Sequence, residues 1–377
     1  MTDLLTATEA AKALGIKRAS LYVYVSRGLL SSQRVPGSNA RAYRHSDVER
    51  LKARRTSPAA GALWFGDPVL DTSITALDAL RGPLYRGHAA IDLARRGVSF
   101  EAVAVLLWTG QLPGEARPRL HDPRSDKEAK AAAPTLALLE ARVLSLRRRW
   151  PALVEPGVEL ALAKVLLGSL QASLWHALGV KDKQRDLLDK ALVVVADHEL
   201  NPSTFAARVV ASTGADLATC VHAGLLALSG PRHGGACDRI EALLDEIKTP
   251  ARAFDVVRAR LKRGDDIPGF FANVYPQGDP RTAVVLEDPR VAHGERTAVV
   301  RALVQAMADL RAGPNDTAAR GGPSIDLGLV AVARALGFAP GAATALFALG
   351  RSAGWIAHVM EQRGSEQPLR PRARFVA

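Results

Sequence analysis

The stretch Ala196–Asp238 reads ADHELNPSTFAARVVASTGADLATCVHAGLLALSGPRHGGACD and holds the densest chemistry in the chain. His198 sits in a polar turn just before Asn201 and Pro202, and Ser203 can cap the helix that follows. A second helix is expected to begin near Asp216 and to run to Leu228. It ends at SGPRHGGA, which puts His233 just beyond a helix, between a proline and two glycines. Glycines there permit a backbone approach that a side chain would block. A histidine so placed can meet a ligand at close range, with a proton available near neutral pH.

Cys220, His222, His233 and Cys237 are residue types that zinc accepts. However, Cys220 and His222 are two apart on an expected helix and face different ways. No close Cys-x-x-Cys pair is present, so no metal is expected and both read as ordinary helix residues. Two cysteines give no disulfide framework, which makes a reducing cytoplasm the expected location.

Outward from this stretch the chain reads as mostly helix from Leu63 onward. VSFEAVAVLLWTGQLP has Ser99 as a cap, an apolar run and a Gly110/Pro113 stop. TLALLEARVLSLRRRW and ELALAKVLLGSLQASLWHALG repeat the helical period. Strands and helices do not alternate, which argues against a doubly wound sheet. No Walker loop, dinucleotide fingerprint or nucleophile elbow is present. At 377 residues, two or three domains are expected. The 48% hydrophobic content is dominated by Ala, Leu and Val, which suits close-packed helices. No uncharged apolar run is long enough for a membrane span, and the N-terminus has no signal-peptide pattern.

The net charge of +12 suggests a polyanionic partner and is concentrated at one end. Residues 1–57 hold eleven Lys and Arg against four Asp and Glu, a net +7. Within them, TATEAAKALGIKRASLYVYVSRGLL reads as two short helices around a turn. Thr6 and Glu9 form an expected capping box, and Ala10, Ala11 and Leu14 an apolar stripe. Gly15 ends the first helix, and Leu21, Tyr22 and Val25 face inward from the second. AYRHSDVERLKARR adds a helix capped near Ser46. Through EAAKALGI, LYVYVSRGLL and YRHSDVERL this region resembles the winged helix-turn-helix of the mercury-resistance-regulator and excisionase type. The resemblance implies that Lys17, Arg18, Ser20, Tyr24 and Arg27 meet bases and phosphates of DNA, with Arg41 and Arg44 flanking the wing. Residues 58–62, with Pro58 and Gly61, read as a linker.

Several ordered motifs point to a second family. DHELNPSTFAARVVASTGADL, LSGPRHGGA, DPR, PSIDLGLVAVARALG and LFALGRSAGWIAHVMEQ resemble citrate synthase, and LYRGHAAIDLARRGVSFEAVAVLLWTGQLP adds an early segment. The resemblance covers roughly residues 63–377. It implies an all-α fold with a large domain over 63–235 and 325–377, a small domain over 236–324, and a homodimer. It also implies condensation of acetyl-CoA with oxaloacetate to citrate and CoA, an acyltransferase step of the tricarboxylic acid cycle. Acyl-CoA would be a substrate, with no tightly bound cofactor. Such chemistry needs a base for a weak carbon acid, a donor for the enol oxygen, a donor for the ketone, and arginines for the dicarboxylate. Asp326 matches the base, although a carboxylate there could also be a helix N-cap. His233 matches the enol donor, and His198 the histidine that holds oxaloacetate. Arg281, Arg351 and Arg370 match the carboxylate-binding arginines, the last acting across the dimer.

The departure lies in Ile267–Arg281, IPGFFANVYPQGDPR. Alignment through Gly269, Tyr275 and Asp279 puts Ala272 where the family has a third histidine, and Asn273 beside it. Loss of one preorganised donor costs on the order of 10²–10³ in rate. Asn273 or a water is left to serve the ketone, so turnover is expected to be slow or the keto-acid preference altered. Cys237 and Asp238 also stand where the family commonly has Asn-Glu. Two readings follow: a citrate synthase-type enzyme, or a metabolite-responsive DNA-binding regulator on a degenerate scaffold of that enzyme.

Overall fold

A computed structural model describes residues 4–14, 16, 21, 25, 32–34, 41–45, 47–48, 70–114, 117–118, 120, 135–148, 158–270, 274–275, 278–312, 321–365 and 368–371. The chain divides into two compact units, Met1–Asp71 and Thr72–Ala377.

In the first unit, β1 (Leu4–Thr6), β2 (Ser32–Arg34) and β3 (Arg41–Arg44) form an antiparallel sheet in the order β1-β3-β2. The helix Ala7–Leu14 begins with the expected capping box. The Thr6 N–H and hydroxyl both donate to Glu9 Oε2 at 2.8 Å, and Glu9 N–H donates back to Thr6 Oγ1 at 3.3 Å. Ala10, Ala11 and Leu14 are buried with Leu21, Tyr43 and Val48 in a small separate core. Arg41 and Arg44 stand exposed at the two ends of β3. The expected DNA-facing residues Lys17, Arg18, Ser20, Tyr24 and Arg27, the cap Ser46 and the linker 58–62 lie outside the described residues.

The described residues of the second unit are mostly helical, with one sheet that the sequence reading did not separate from helix. β4 (Thr75–Asp78), β5 (Gly82–Tyr85) and β6 (His88–Ala89) form a three-stranded antiparallel sheet. Asp78 Oδ1 accepts the Leu80 and Arg81 N–H groups at 2.9 and 2.8 Å, which closes the tight turn between the first two strands. The expected helices follow. Phe100–Thr109 has its Ser99 cap and a left-handed Gly110 stop, and Leu217–Leu228 has its Asp216 cap. Leu136–Arg147 and Glu159–Leu178 occupy the two other expected segments.

The organising element is the helix Ala342–Arg363, buried on nearly all sides. Such a helix is core rather than surface. It packs on Arg185–Val195, Pro202–Ala211, Leu217–Leu228 and Ile325–Leu336. Small residues let it approach the chain before His198. A Cβ on Gly354 would lie 2.3 Å from Asp197 Oδ1 and 2.6 Å from the Ala196 carbonyl. Gly354 N–H instead donates to that carbonyl at 3.0 Å.

The ends of the Ile267–Arg281 loop are pinned to the segment that leads to Asp326. Ser324 N–H donates to Gly269 O at 2.8 Å, and Asp279 N–H to Pro323 O at 3.2 Å. Gly269 has φ +90°, and a Cβ there would press on Ile240 and Leu327 at 3.2–3.3 Å. Phe271, Ala272 and Asn273 lie outside the described residues.

Candidate active site

Five segments bring their polar side chains together. His198 follows the helix Arg185–Val195. Its Nε2 lies 2.9 Å from Tyr275 Oη, and the two rings meet edge to face. Burial, and then the cations Arg281 and Arg351, hold its pKa well below the ordinary 6.5. It is therefore a neutral imidazole at pH 7, with both guanidiniums close by. Burial raises the Tyr275 phenol to about 12, so it stays protonated.

Arg281 opens the helix Pro280–Leu286 and is 5% exposed. Its Nε donates to Asp279 Oδ1 at 2.9 Å and its Nη2 to Oδ2 at 2.6 Å. Burial works against its charge, but Asp279 outweighs that and holds the guanidinium ionised. The remaining nitrogen, Nη1, is buried and has no hydrogen-bond partner among the described residues. A buried cationic N–H left open costs free energy unless an acceptor arrives.

Arg351 lies on the central helix and is 2% exposed. Its Nε donates to Val195 O at 3.0 Å, and its plane sits 4.8 Å from the Phe347 ring centre. Burial lowers its pKa to about 10, with Asp197 opposing, so the cation persists at neutral pH. Phe347 also meets His233 edge to face. Burial and Arg351 lower His233 to about 4, which leaves it neutral. His233 Nε2 lies 2.8 Å from Ser203 Oγ.

Ser203 is a correction to the sequence reading. The N-cap of Pro202–Ala211 is Asn201, whose Oδ1 accepts Thr204 N–H at 3.0 Å. Ser203 instead turns inward, 2.7 Å from Asn201 Oδ1, and accepts from Trp355 Nε1 at 3.2 Å. Its single proton chooses between Asn201 and His233. Donation to His233 Nε2 puts the imidazole proton on Nδ1, whereas donation to Asn201 Oδ1 makes His233 Nε2–H the donor to Ser203.

Asp326 lies in the first turn of Ile325–Leu336, where Ser324 holds the N-cap position. Asp326 is thus the second residue of the helix and not its N-cap, and the Ser324 side chain makes no cap hydrogen bond. Ser324 Oγ is 3.4 Å from Asp326 Oδ2, and the Cys237 thiol is 3.9 Å from Oδ1. Burial raises the Asp326 carboxyl, Arg281 partly opposing. Burial and the neighbouring Asp326 keep the Cys237 thiol well above its ordinary range, so it is neutral. Cys220 is buried in its helix and pushed up to about 12 by burial.

His198, His233, Arg281, Arg351 and Asp326 thus share one region. Arg370 is exposed, in a short segment where Leu369 N–H donates to Ser212 Oγ at 3.0 Å, and it takes no part in the cluster. Sequence reasoning missed Tyr275 and Ser203 as partners of the two histidines. The only signal was their placement in the two motifs, Tyr275 in the loop and Ser203 five residues after His198.

Residues 64–140 and 119–372 match the family model for the C-terminal domain of citrate synthase. Residues 5–56 match that of the MerR HTH family regulatory protein. Citrate synthase 2 of Bacillus subtilis is 32% identical over 223 residues, 59% of this chain and 58% of that protein. The chain thus spans about half the length of this curated relative and of others like it. A 2-methylcitrate synthase of Mycobacterium tuberculosis is 28% identical over 336 residues, 77% of this chain and 84% of that protein. The crystal structure of citrate synthase from Thermotoga maritima superposes with a TM-score of 0.66 at 26% identity, covering 83% of this chain and 94% of that one.

Proposed function

The chain belongs to the citrate synthase family, and from that premise we propose that it condenses an acyl-CoA with a keto diacid and releases CoA. The observation that carries this reading is the open, buried Nη1 of Arg281 beside Arg351 and the neutral His198. A carboxylate would satisfy that N–H, and two cations suit a dianion. Oxaloacetate is the keto diacid proposed, and acetyl-CoA or propionyl-CoA the acyl donor.

Asp326 takes the α-proton of the thioester. Burial raises its pKa, which makes it a better base than an exposed carboxylate. Neutral His233 donates to the enol oxygen, positioned through Ser203. The enol carbon attacks the keto carbon, whose oxygen is served by Asn273 or water in place of the histidine absent at Ala272. Water then cleaves the new thioester. Residues 236–324 form the proposed small domain, closing on the rest to exclude water, and a second copy contributes Arg370. The test is calorimetric titration with oxaloacetate. Binding that is lost in Arg351→Gln supports the site; no heat with any keto diacid speaks against it.

A second reading is favoured by the regulatory family match over residues 5–56 and the net +7 of residues 1–57. In it the N-terminal unit reads an operator, and two-fold symmetry presents two such units to a palindrome. It predicts specific DNA retention that changes with a metabolite, and little turnover. Either role is proposed for the cytoplasm.

A further inference from the structure

Behind His198 lies a buried chain of polar groups that the reaction as proposed does not use. Asp197 and His358 are both 0% exposed and Arg208 is 4% exposed. Arg208 Nη1 lies 3.3 Å from His358 Nδ1, and it also donates to Glu361 Oε2 at 2.7 Å. Its Nε donates to Gln362 Oε1 at 2.9 Å. A guanidinium has no acceptor, so His358 Nδ1 must accept. The His358 proton then sits on Nε2, 3.3 Å from Asp197 Oδ2, to which it donates. A proton on Nδ1 would turn an N–H toward the guanidinium.

The same Asp197 oxygen accepts Glu199 N–H at 3.1 Å. A carboxylate bonded to the backbone two residues on closes an Asx turn, and its central residue is His198. Glu199 has φ 55°, a left-handed conformation that a non-glycine side chain adopts only when its surroundings hold it there. Tyr85 holds the other side, its Oη lying 3.2 Å from both Asp197 N and Asp197 O. We propose that His358 is a positioning residue: its Nε2–H fixes the Asp197 carboxylate, the carboxylate fixes the turn, and the turn aims His198 at the keto diacid.

The inference rests on the reading of His198 as a substrate-binding residue, and two variants separate the two claims. His358→Gln places a carboxamide near Nε2 and keeps a donor for Asp197. His358→Asn is shorter and loses that donor. The account predicts that Asn weakens oxaloacetate binding, read by calorimetry, about tenfold or more, because small misplacement of a binding group is costly. Gln should stay within about threefold of wild type, and KM for the keto diacid should move more than kcat. Equal binding by wild type and Asn, even with a lowered Tm, would overturn it. Nitrogen-15 spectra of histidine-labelled protein decide the point without turnover. His358 should carry its proton on Nε2, and His198 resonances should move in His358→Asn. A proton on Nδ1, or unmoved His198 resonances, overturns the proposal even if the protein binds no keto diacid and the functional reading has failed by itself.

Discussion

Asp326→Asn separates the chemical role of this carboxylate from any structural one. The amide has nearly the same shape and removes the proposed base. The contacts at stake are weak, a serine hydroxyl at 3.4 Å and a thiol at 3.9 Å. General-base catalysis contributes about 10²–10⁴ in rate, so thiol release should fall by that factor, equivalent to about 2.7–5.5 kcal/mol of barrier. The stability effect has the opposite sign. Burial raises the folded-state pKa above the ordinary 3.8, so the folded chain binds this proton more tightly than the unfolded one. Wild-type stability is therefore lost as pH rises from the unfolded value through the folded one. Asparagine removes that penalty, and at pH 7 its Tm should equal or exceed that of wild type. Solvent-deuterium exchange into the acyl α-position, followed beside thiol release, isolates proton removal. Exchange within about tenfold of wild type would refute the base assignment, and a Tm several degrees lower would refute the sign argument.

Three further outcomes follow from particular residues. Ala272→His should raise turnover by about 10²–10³ if the missing donor limits the reaction; unchanged thiol release would show that it does not. Burial holds His233 at about 4 in the fold against an ordinary 6.5, so the unfolded chain takes up the proton first. Stability should then fall as pH drops from 6.5 toward about 4, less steeply in His233→Gln; identical melting profiles would contradict this. Gly354→Ala should cost about 1–3 kcal/mol through overpacking, because its Cβ would lie 2.3 Å from Asp197 Oδ1. An unchanged Tm would mean that the helix and the His198 turn are not in close contact.

Local rules carried much of the fold. Thr6 with Glu9, Ser99, Gly110 and Asp216 mark helix ends through bonds to neighbours three or four residues away, and such bonds are written in the sequence. Residues 75–89 were harder, because strands of two to four residues carry too little alternation to separate them from helix. Family motifs pointed to His198, His233, Arg281, Arg351 and Asp326, which the fold brings into one region. They could not reveal what holds them. Ser203 meets Trp355, and Asp197 meets His358, across more than 150 residues. Ser203 also looked like a cap because serine suits that role, and only Asn201 two residues earlier, already bonded to Thr204, displaced it.

The most direct test supplies purified protein with acetyl-CoA or propionyl-CoA and a keto diacid and follows free thiol. The account predicts release that requires both substrates, is slowed by the alanine at position 272, and disappears in Asp326→Asn. No thiol from any pair, with oxaloacetate still bound, would contradict the enzyme and leave the ligand-responsive DNA-binding reading in its place.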